Sequence, residues 1–289
     1  MNNNQKLFLK QLQSMSHSRS PHRVFSDWLE MAAISLHQLP YHSGELAKDD
    51  DFERLEQRYL ERIKSYSQDE LKILAELIGL TIAEHHTGYG DFLGEIAGEA
   101  ALLSKGSGQF FTPYHLCRAI SKMTLGDVQQ MVKAKGILTV CEPAVGAGAL
   151  VIASAEEVAS QGVDPCAHLQ FDCTDISRDA FNMAYIQLSA LGLQAIVRHG
   201  NTLSHEYWEH RPTPQLRLFH QWLAPQRQAA RLANAMRAVL ASPVASAPIE
   251  EDPEATPSGT LFDLTQFAGA PLTKKRSLRP PDVVLERQM

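Results

Sequence analysis

The string CEPAVGAGAL, Cys141–Leu150, constrains the fold more than any other stretch of this 289-residue chain. An apolar run, Ile137–Val140, leads straight into it, and an alanine-rich run follows. That order predicts a strand, a glycine turn and a helix from about Ala149 to Ser160. A glycine turn after a strand lets the backbone approach a nucleotide-shaped ligand closely. Gly146 and Gly148 stand two positions apart, and Pro143 stiffens the strand exit. The string is not a full G-x-G-x-x-G, and no Lys-Ser/Thr pair follows, which disfavours a dinucleotide fingerprint and a P-loop. The alternation then continues. HLQFDCTD predicts a second strand ending at Asp175, DAFNMAYIQLSALGL a second helix, and AIVRHGN a third strand. A βαβαβ run of this kind points to a parallel sheet with crossover helices. A carboxylate at the end of the second strand would accept two ribose hydroxyls. A tight βα turn, with Asp175 capping the next helix, accounts for the same residues equally well.

The flanks differ. Residues 1 to about 105 read as helical. Val24, Trp28, Met31 and Leu36 share one helix face, and Phe52, Leu55, Tyr59 and Ile63 share another. Ser67 and Glu70 form an S-x-x-E capping box, with Leu71, Leu74, Ile78 and Ile82 as the expected buried stripe behind it. A further helix is expected at Thr112-Pro113, with Thr112 as N-cap, Pro113 at the first helical position, and Leu116, Ile120 and Met123 as its apolar side. After Trp208 the alternation stops. PTPQLRLFHQWLAPQRQAARLANAMRAVL reads as one or two helices. From residue 241 the chain is rich in Pro, Ala, Ser and acidic residues, a composition that cannot easily bury a core, so disorder is expected to the end. The expected organisation is therefore a helical region over 1–105, an α/β domain over 106–240 and a disordered tail over 241–289.

Bulk properties narrow the classes. A formal net charge of -6 argues against a protein that coats nucleic acid by charge alone. No apolar run is long enough to span a bilayer and the first residues lack a signal-peptide core, so a cytoplasmic protein is expected. The four cysteines are scattered without a C-x-x-C pair, which suits a reducing compartment and argues against disulfides and a zinc site. His85 and His86 read as exposed helix-end histidines rather than metal ligands. Trp28, Trp208 and Trp222 read as core or helix anchors before base-stacking platforms.

A third element decides the reading of the glycine turn. GQFFTP, Gly108–Pro113, precedes the first strand by about 25 residues. With E-P-A-x-G-x-G it resembles the adenine-N6 DNA methyltransferases, and most closely the group with the cofactor motif N-terminal to the catalytic one, as in modification subunits of type I restriction systems. The resemblance extends over roughly the first 210 residues. It implies a Rossmann-like S-adenosyl-L-methionine-dependent core behind a helical lead-in, DNA as partner, and a bacterial or mobile-element origin. It also implies roles residue by residue. Phe111, Thr112 and Pro113 would contact the cofactor, with Thr112 near its carboxylate. Glu142, where the family usually has aspartate, would lie near the methionine part. Pro143, Ala144, Gly146 and Gly148 would form the turn beneath it. Asp175 would hold the ribose and Ile176 would pack on the adenine. Asn201, where the family commonly has aspartate, would accept from the adenine amino group through its amide oxygen.

One family element is missing from the sequence. The family aims the target adenine with Asn, Asp or Ser, then Pro-Pro, then an aromatic, placed after a fourth strand. The corresponding region reads HEYWEHRPTPQLRLFHQWL, with neither Pro-Pro nor a β-branched fourth strand. The Pro-Pro pair of the chain is in RPPD, Arg279–Asp282, and reads as part of the tail. Only three sheet strands are expected, so the sheet is truncated and the first strand has an open edge, a liability unless covered. The helix over 214–240, or a partner chain supplying the missing half, would cover it. Two functions follow: an adenine-specific DNA methyltransferase with an unusual or partner-supplied catalytic half, or a cofactor-binding subunit or regulator without chemistry. A second methyltransferase subunit or a specificity subunit is the implied partner. QLRLF, Gln215–Phe219, and TLFDLTQF, Thr260–Phe267, are similar to peptides that hold the replication sliding clamp. A helix face formed by Leu216, Phe219, Trp222 and Leu223 is the plainer account of the first. Lys274, Lys275 and Arg276 read as solvated tail before phosphate contacts.

Overall fold

Local start signals set the helices of the amino-terminal region. In the structure, a computed structural model, residues 1–15, 19–100, 102 and 111–241 are described. α1 (Asn3–Ser14) starts on a capping box from Asn2 to Gln5. α2 (Pro21–His42) starts on Ser20 with proline in its first turn. α3 (Asp50–Ile63) starts on Asp49, and α4 (Gln68–Thr87) on the expected Ser67–Glu70 box. Asp91 caps α5 (Phe92–Glu99) through the Gly94 amide. Side-chain oxygens at these positions satisfy amides that the helix itself leaves unpaired.

Next come α6 (Tyr114–Thr124) and α7 (Val128–Lys135), then the alternating part: β1 (Leu138–Glu142), α8 (Ala149–Ser160), α9 (Pro165–His168), β2 (Leu169–Asp175), α10 (Arg178–Ala190) and β3 (Gln194–Asn201). β1, β2 and β3 are parallel and adjacent, with Leu138 opposite Leu169 and Asp175 opposite His199. The periodicity of the sequence thus gave the right elements here. It missed β4 (Glu206–Pro212), which pairs antiparallel with β3 and carries the sheet to four strands, in the order β1-β2-β3-β4. β4 reads EYWEHRP, without a β-branched residue. A strand with one half-wet face and a terminal proline is tolerated at a sheet edge, where no ladder bond is lost. The fold is mixed α/β around this open sheet.

α11 (Pro214–Ala241) follows β4 as one helix with Pro225 inside it. Its start does not cover β1. Arg217 donates to the His37 carbonyl, Gln215 to the Ser189 carbonyl, and Thr213 N–H to Ala195, all toward the β3 side of the sheet. Among the described residues no strand pairs with the outer edge of β1.

Residues Met1–Met236 form one compact unit; of the second, Arg237–Met289, only the end of α11 is described. One hydrophobic core runs from Phe8, Trp28 and Leu93 of the helices to Phe171, Phe181 and Val197 of the α/β part. α10 is buried along most of its length, packed on the sheet and against α2 and α4. Trp28 is fully buried, and its indole N–H reaches the Leu74 carbonyl at 3.0 Å.

Three amphipathic faces lie elsewhere than their spacing suggests. In α4 the buried residues are Leu74, Leu77, Thr81 and His85, and Ile82 is exposed. In α6 Cys117 and Ser121 face α8, while Leu116, Ile120 and Met123 point outward. The N-cap of α6 is Pro113, without a side-chain cap bond, not Thr112. In α11 Leu216 is buried, but Trp222 is 63% exposed. Gly108, Gln109 and Phe110, and the tail over 242–289 with TLFDLTQF, the basic patch and the Pro-Pro pair, lie outside the described residues.

Candidate functional site

β1 delivers Glu142 to the carboxyl end of the parallel strands, the end at which open α/β sheets take ligands. The chain then turns. Val145 N–H donates to the Thr174 carbonyl at the end of β2, and Gly148 N–H to the Val145 carbonyl, each at 2.9 Å. Gly146 has φ +56° and Gly148 φ +106°, values that L side chains rarely adopt. α8 begins at Gly148 with no side-chain cap. Its first amides therefore face the turn without a partner from a capping side chain, an arrangement that favours negative groups.

Asp175 binds both sides of this turn. Its Oδ2 accepts from Gly146 N–H and its Oδ1 from Ser177 N–H, both at 2.8 Å. Each carboxylate oxygen retains a further lone pair for a hydroxyl. The cap of α10 itself is Ser177, not Asp175. Phe111 brings the upstream motif to the same place: a Cβ on Gly146 would lie 3.1 Å from its ring. Thr112 and Pro113 beside it are exposed.

The other predicted residues line the same end of the sheet. Glu142 accepts from Ala144 N–H at 3.1 Å. Thr202 Oγ1 donates to the Pro143 carbonyl at 2.7 Å, which ties the loop after β3 to the glycine turn. Asn201 Oδ1 accepts from Leu203 N–H at 3.0 Å and Ser204 N–H at 3.4 Å, so that oxygen already holds its own loop. Ile176 is 60% exposed next to Asp175. Trp208 is also exposed, its ring edge-on to His199 at 4.7 Å, rather than a core anchor.

Several residues that hold this site were not singled out by the sequence. Gly200 is one: a Cβ there would lie 2.4 Å from the Glu206 carbonyl, so β3 and β4 approach closely only because it is glycine. Gln187 of α10 reaches the turn from behind, donating to the Ala147 carbonyl at 2.7 Å. Glu209 of β4 is bound by Arg58, Arg178 and Arg211. Burial alone would raise the pKa of Glu209, but the three guanidinium groups overcome it and hold the carboxyl well below the usual range. Burial pushes the carboxyl of Asp91 up to about 6, against the hydrogen bonds from Gln187 and Gly94. His85 is buried, not an exposed helix-end residue, and burial lowers its pKa to about 4.

Two other features are not ligand sites on this geometry. A concavity lined by Glu30, Arg58, Glu61, Arg62 and Ser65 has its arginines committed to Glu30, Asp27 and Glu209. QLRLF lies in α11 with Leu216 buried and Gln215 bonded to Ser189, so it is not presented as a free peptide. Among the described residues no three His, Cys, Asp or Glu side chains converge as a metal site, and no helix is long and apolar enough to cross a membrane.

Residues 89–222 match the family model described as N-6 DNA Methylase. This range includes the FTP segment, the glycine turn, Asp175, Asn201 and the start of α11. Neither the curated proteins nor the solved structures gave a match.

Proposed function

We propose that the chain, whose residues 89–222 match the N-6 DNA methylase family, binds S-adenosyl-L-methionine on a Rossmann-like core and serves methyl transfer to N6 of a flipped adenine in DNA. The observation that carries this reading is the meeting of Phe111, Gly146 and Asp175 at one turn. Two motifs far apart in the chain converge there, with a carboxylate placed for two hydroxyls and amides placed for a carboxylate. Asp175 holds the ribose. The turn from Pro143 to Gly148 supports the methionine part, with Glu142 and Thr112 at its charged groups. Ile176 covers the adenine. The cofactor supplies an electrophilic methyl group. The protein's task is to hold a base nitrogen in line with that methyl group and to keep water away.

That second task needs a grip on the target base. Asn201 is assigned to the amino group of the cofactor's adenine, not to the target base, and its amide oxygen also serves the Leu203 and Ser204 amides. The segment from β4 through α11, residues 206–241, contains no Pro-Pro. We therefore assign the base grip to a second chain, a methyltransferase or specificity subunit of a bacterial restriction-modification or mobile-element system, which would also account for the open edge of β1. The assay is transfer of tritiated methyl to N6 of adenine in mixed-sequence duplex DNA, by the protein alone and with the subunit co-purified from its native cell. Transfer only with the partner supports the proposal. Transfer by the chain alone places the grip within this chain. No transfer with a bound partner leaves the second reading, a cofactor-binding regulator without chemistry, which the missing tetrapeptide favours.

A further inference from the structure

We propose that Gln187 is the positioning residue of the glycine turn and couples it to the amino-terminal helices; this rests on the cofactor reading above. Gln187 is fully buried in α10. Its Nε2 donates to the Ala147 carbonyl at 2.7 Å and to Asp91 Oδ1 at 2.8 Å. Its Oε1 accepts from Leu93 N–H at 3.0 Å and from His85 Nε2 at 3.2 Å. A primary amide has two N–H donors and two acceptor lone pairs, and all four are used.

The partners fix the orientation of the amide. Leu93 N–H only donates and the Ala147 carbonyl only accepts, so exchanging O and N would break both bonds. The same logic fixes His85: its Nε2 carries the proton, and its buried Nδ1 is left without a partner. Asp91 in turn accepts from Gly94 N–H at 3.1 Å, and a Cβ on Gly94 would sit 2.1 Å from that carboxylate. Helices α4 and α5 therefore end on one side chain, whose other end holds a carbonyl inside the cofactor turn. The peptide plane that carries the Ala147 carbonyl also carries the Gly148 N–H, so Gln187 sets the direction of that amide. A buried, fully satisfied amide has one low-energy arrangement, and that arrangement passes the position of the helices to the turn. A helix–helix packing role alone would need no bond to Ala147.

The test uses full-length protein with Gln187→Met, which nearly keeps the volume, beside Leu77→Ala, which weakens the buried core of α4 without touching these bonds. Two quantities are read at matched stability, set by urea: hydrogen exchange of the peptide covering residues 144–149, and the dissociation constant for S-adenosyl-L-methionine. The expected result is faster exchange of the turn and about tenfold weaker binding in Gln187→Met, with Leu77→Ala like wild type in both. Equal behaviour of the two variants overturns the proposal. If wild type binds no cofactor, the cofactor reading fails, and turn exchange alone still decides the role of Gln187. If Gln187→Met does not fold, Gln187→Leu carries the same readouts, since it too removes the donor to Ala147 without setting a second carboxyl against Asp91.

Discussion

Acidification from pH 7 to pH 5 destabilises this protein through two histidines that it buries in the neutral form. His37 is 2% exposed, and burial lowers its pKa to about 4, assisted by Arg217 and Arg211 and opposed by Asp51. His85 is lowered to about 4 as well, by burial, with Gln187 opposing. A depressed folded pKa means that the stability is present above the unfolded value, near 6.5, and is lost as pH falls through the folded value. At pH 5 each histidine then removes about 2 kcal/mol. Asp91 acts in the opposite sense. Its folded pKa is raised to about 6, so the folded state takes up its proton first and regains about 1 kcal/mol over the same interval. The net loss is about 3 kcal/mol. Glu209, held below its usual range by three arginines against burial, and Asp51, held there by its hydrogen bonds with His37 and Arg54, add to the loss only below about pH 4.5. Urea unfolding at pH 7 and pH 5, for wild type and Asp91→Asn, measures the effect. Asp91→Asn removes the compensating group, so its loss is steeper. Equal stability at the two pH values for wild type would refute the neutral burial of His37 and His85.

Gly200→Ala places a methyl group against the Glu206 carbonyl and lowers stability by about 1–3 kcal/mol in thermal unfolding; an unchanged melting temperature would mean that β3 and β4 do not approach as closely. Glu209→Gln leaves three arginines without their shared anion, the fully buried Arg211 among them, and costs roughly 3 kcal/mol, read from urea midpoints. A cost near zero would place these charges in water. Asp175→Ala removes the acceptor for Gly146 and Ser177 and the carboxylate assigned to the ribose, so S-adenosyl-L-methionine binding weakens about 10- to 100-fold by calorimetry; retained affinity would move the ribose elsewhere.

The parts of the fold that were legible in the sequence are those where one period dominates. β2, β3, α8 and α10 are buried in one core, which β1 enters through Leu138 and Val140, and their apolar runs have little other explanation. The Ser67–Glu70 box is a local signal and appears as expected. β4 was not legible because an edge strand of Glu, Tyr, Trp, His and Arg satisfies no burial pattern of its own; Gly200 and the arginines around Glu209 hold it. α6 shows the limit of spacing: Leu116, Ile120 and Met123 make the more apolar stripe, yet Cys117 and Ser121 are smaller and allow α6 to pack closely on α8. At the candidate site, Phe111, the glycine turn and Asp175 stood out through their motifs, and the structure brings them to one place; the positive φ of Gly146 and Gly148 demands glycine there. Gln187 and Asp91 carried no such mark. The bond between them spans 96 residues of chain and that from Gln187 to Ala147 spans 40, and a glutamine within a helix has no signature until its partners are placed around it.

The central claim is that the glycine turn holds S-adenosyl-L-methionine, and calorimetric titration of the purified full-length chain with that cofactor tests it most directly. The account predicts saturable binding at one site per chain, weakened by Asp175→Ala and by Gln187→Met but unaffected by Leu77→Ala. Absence of binding by a chain shown to be folded would contradict it.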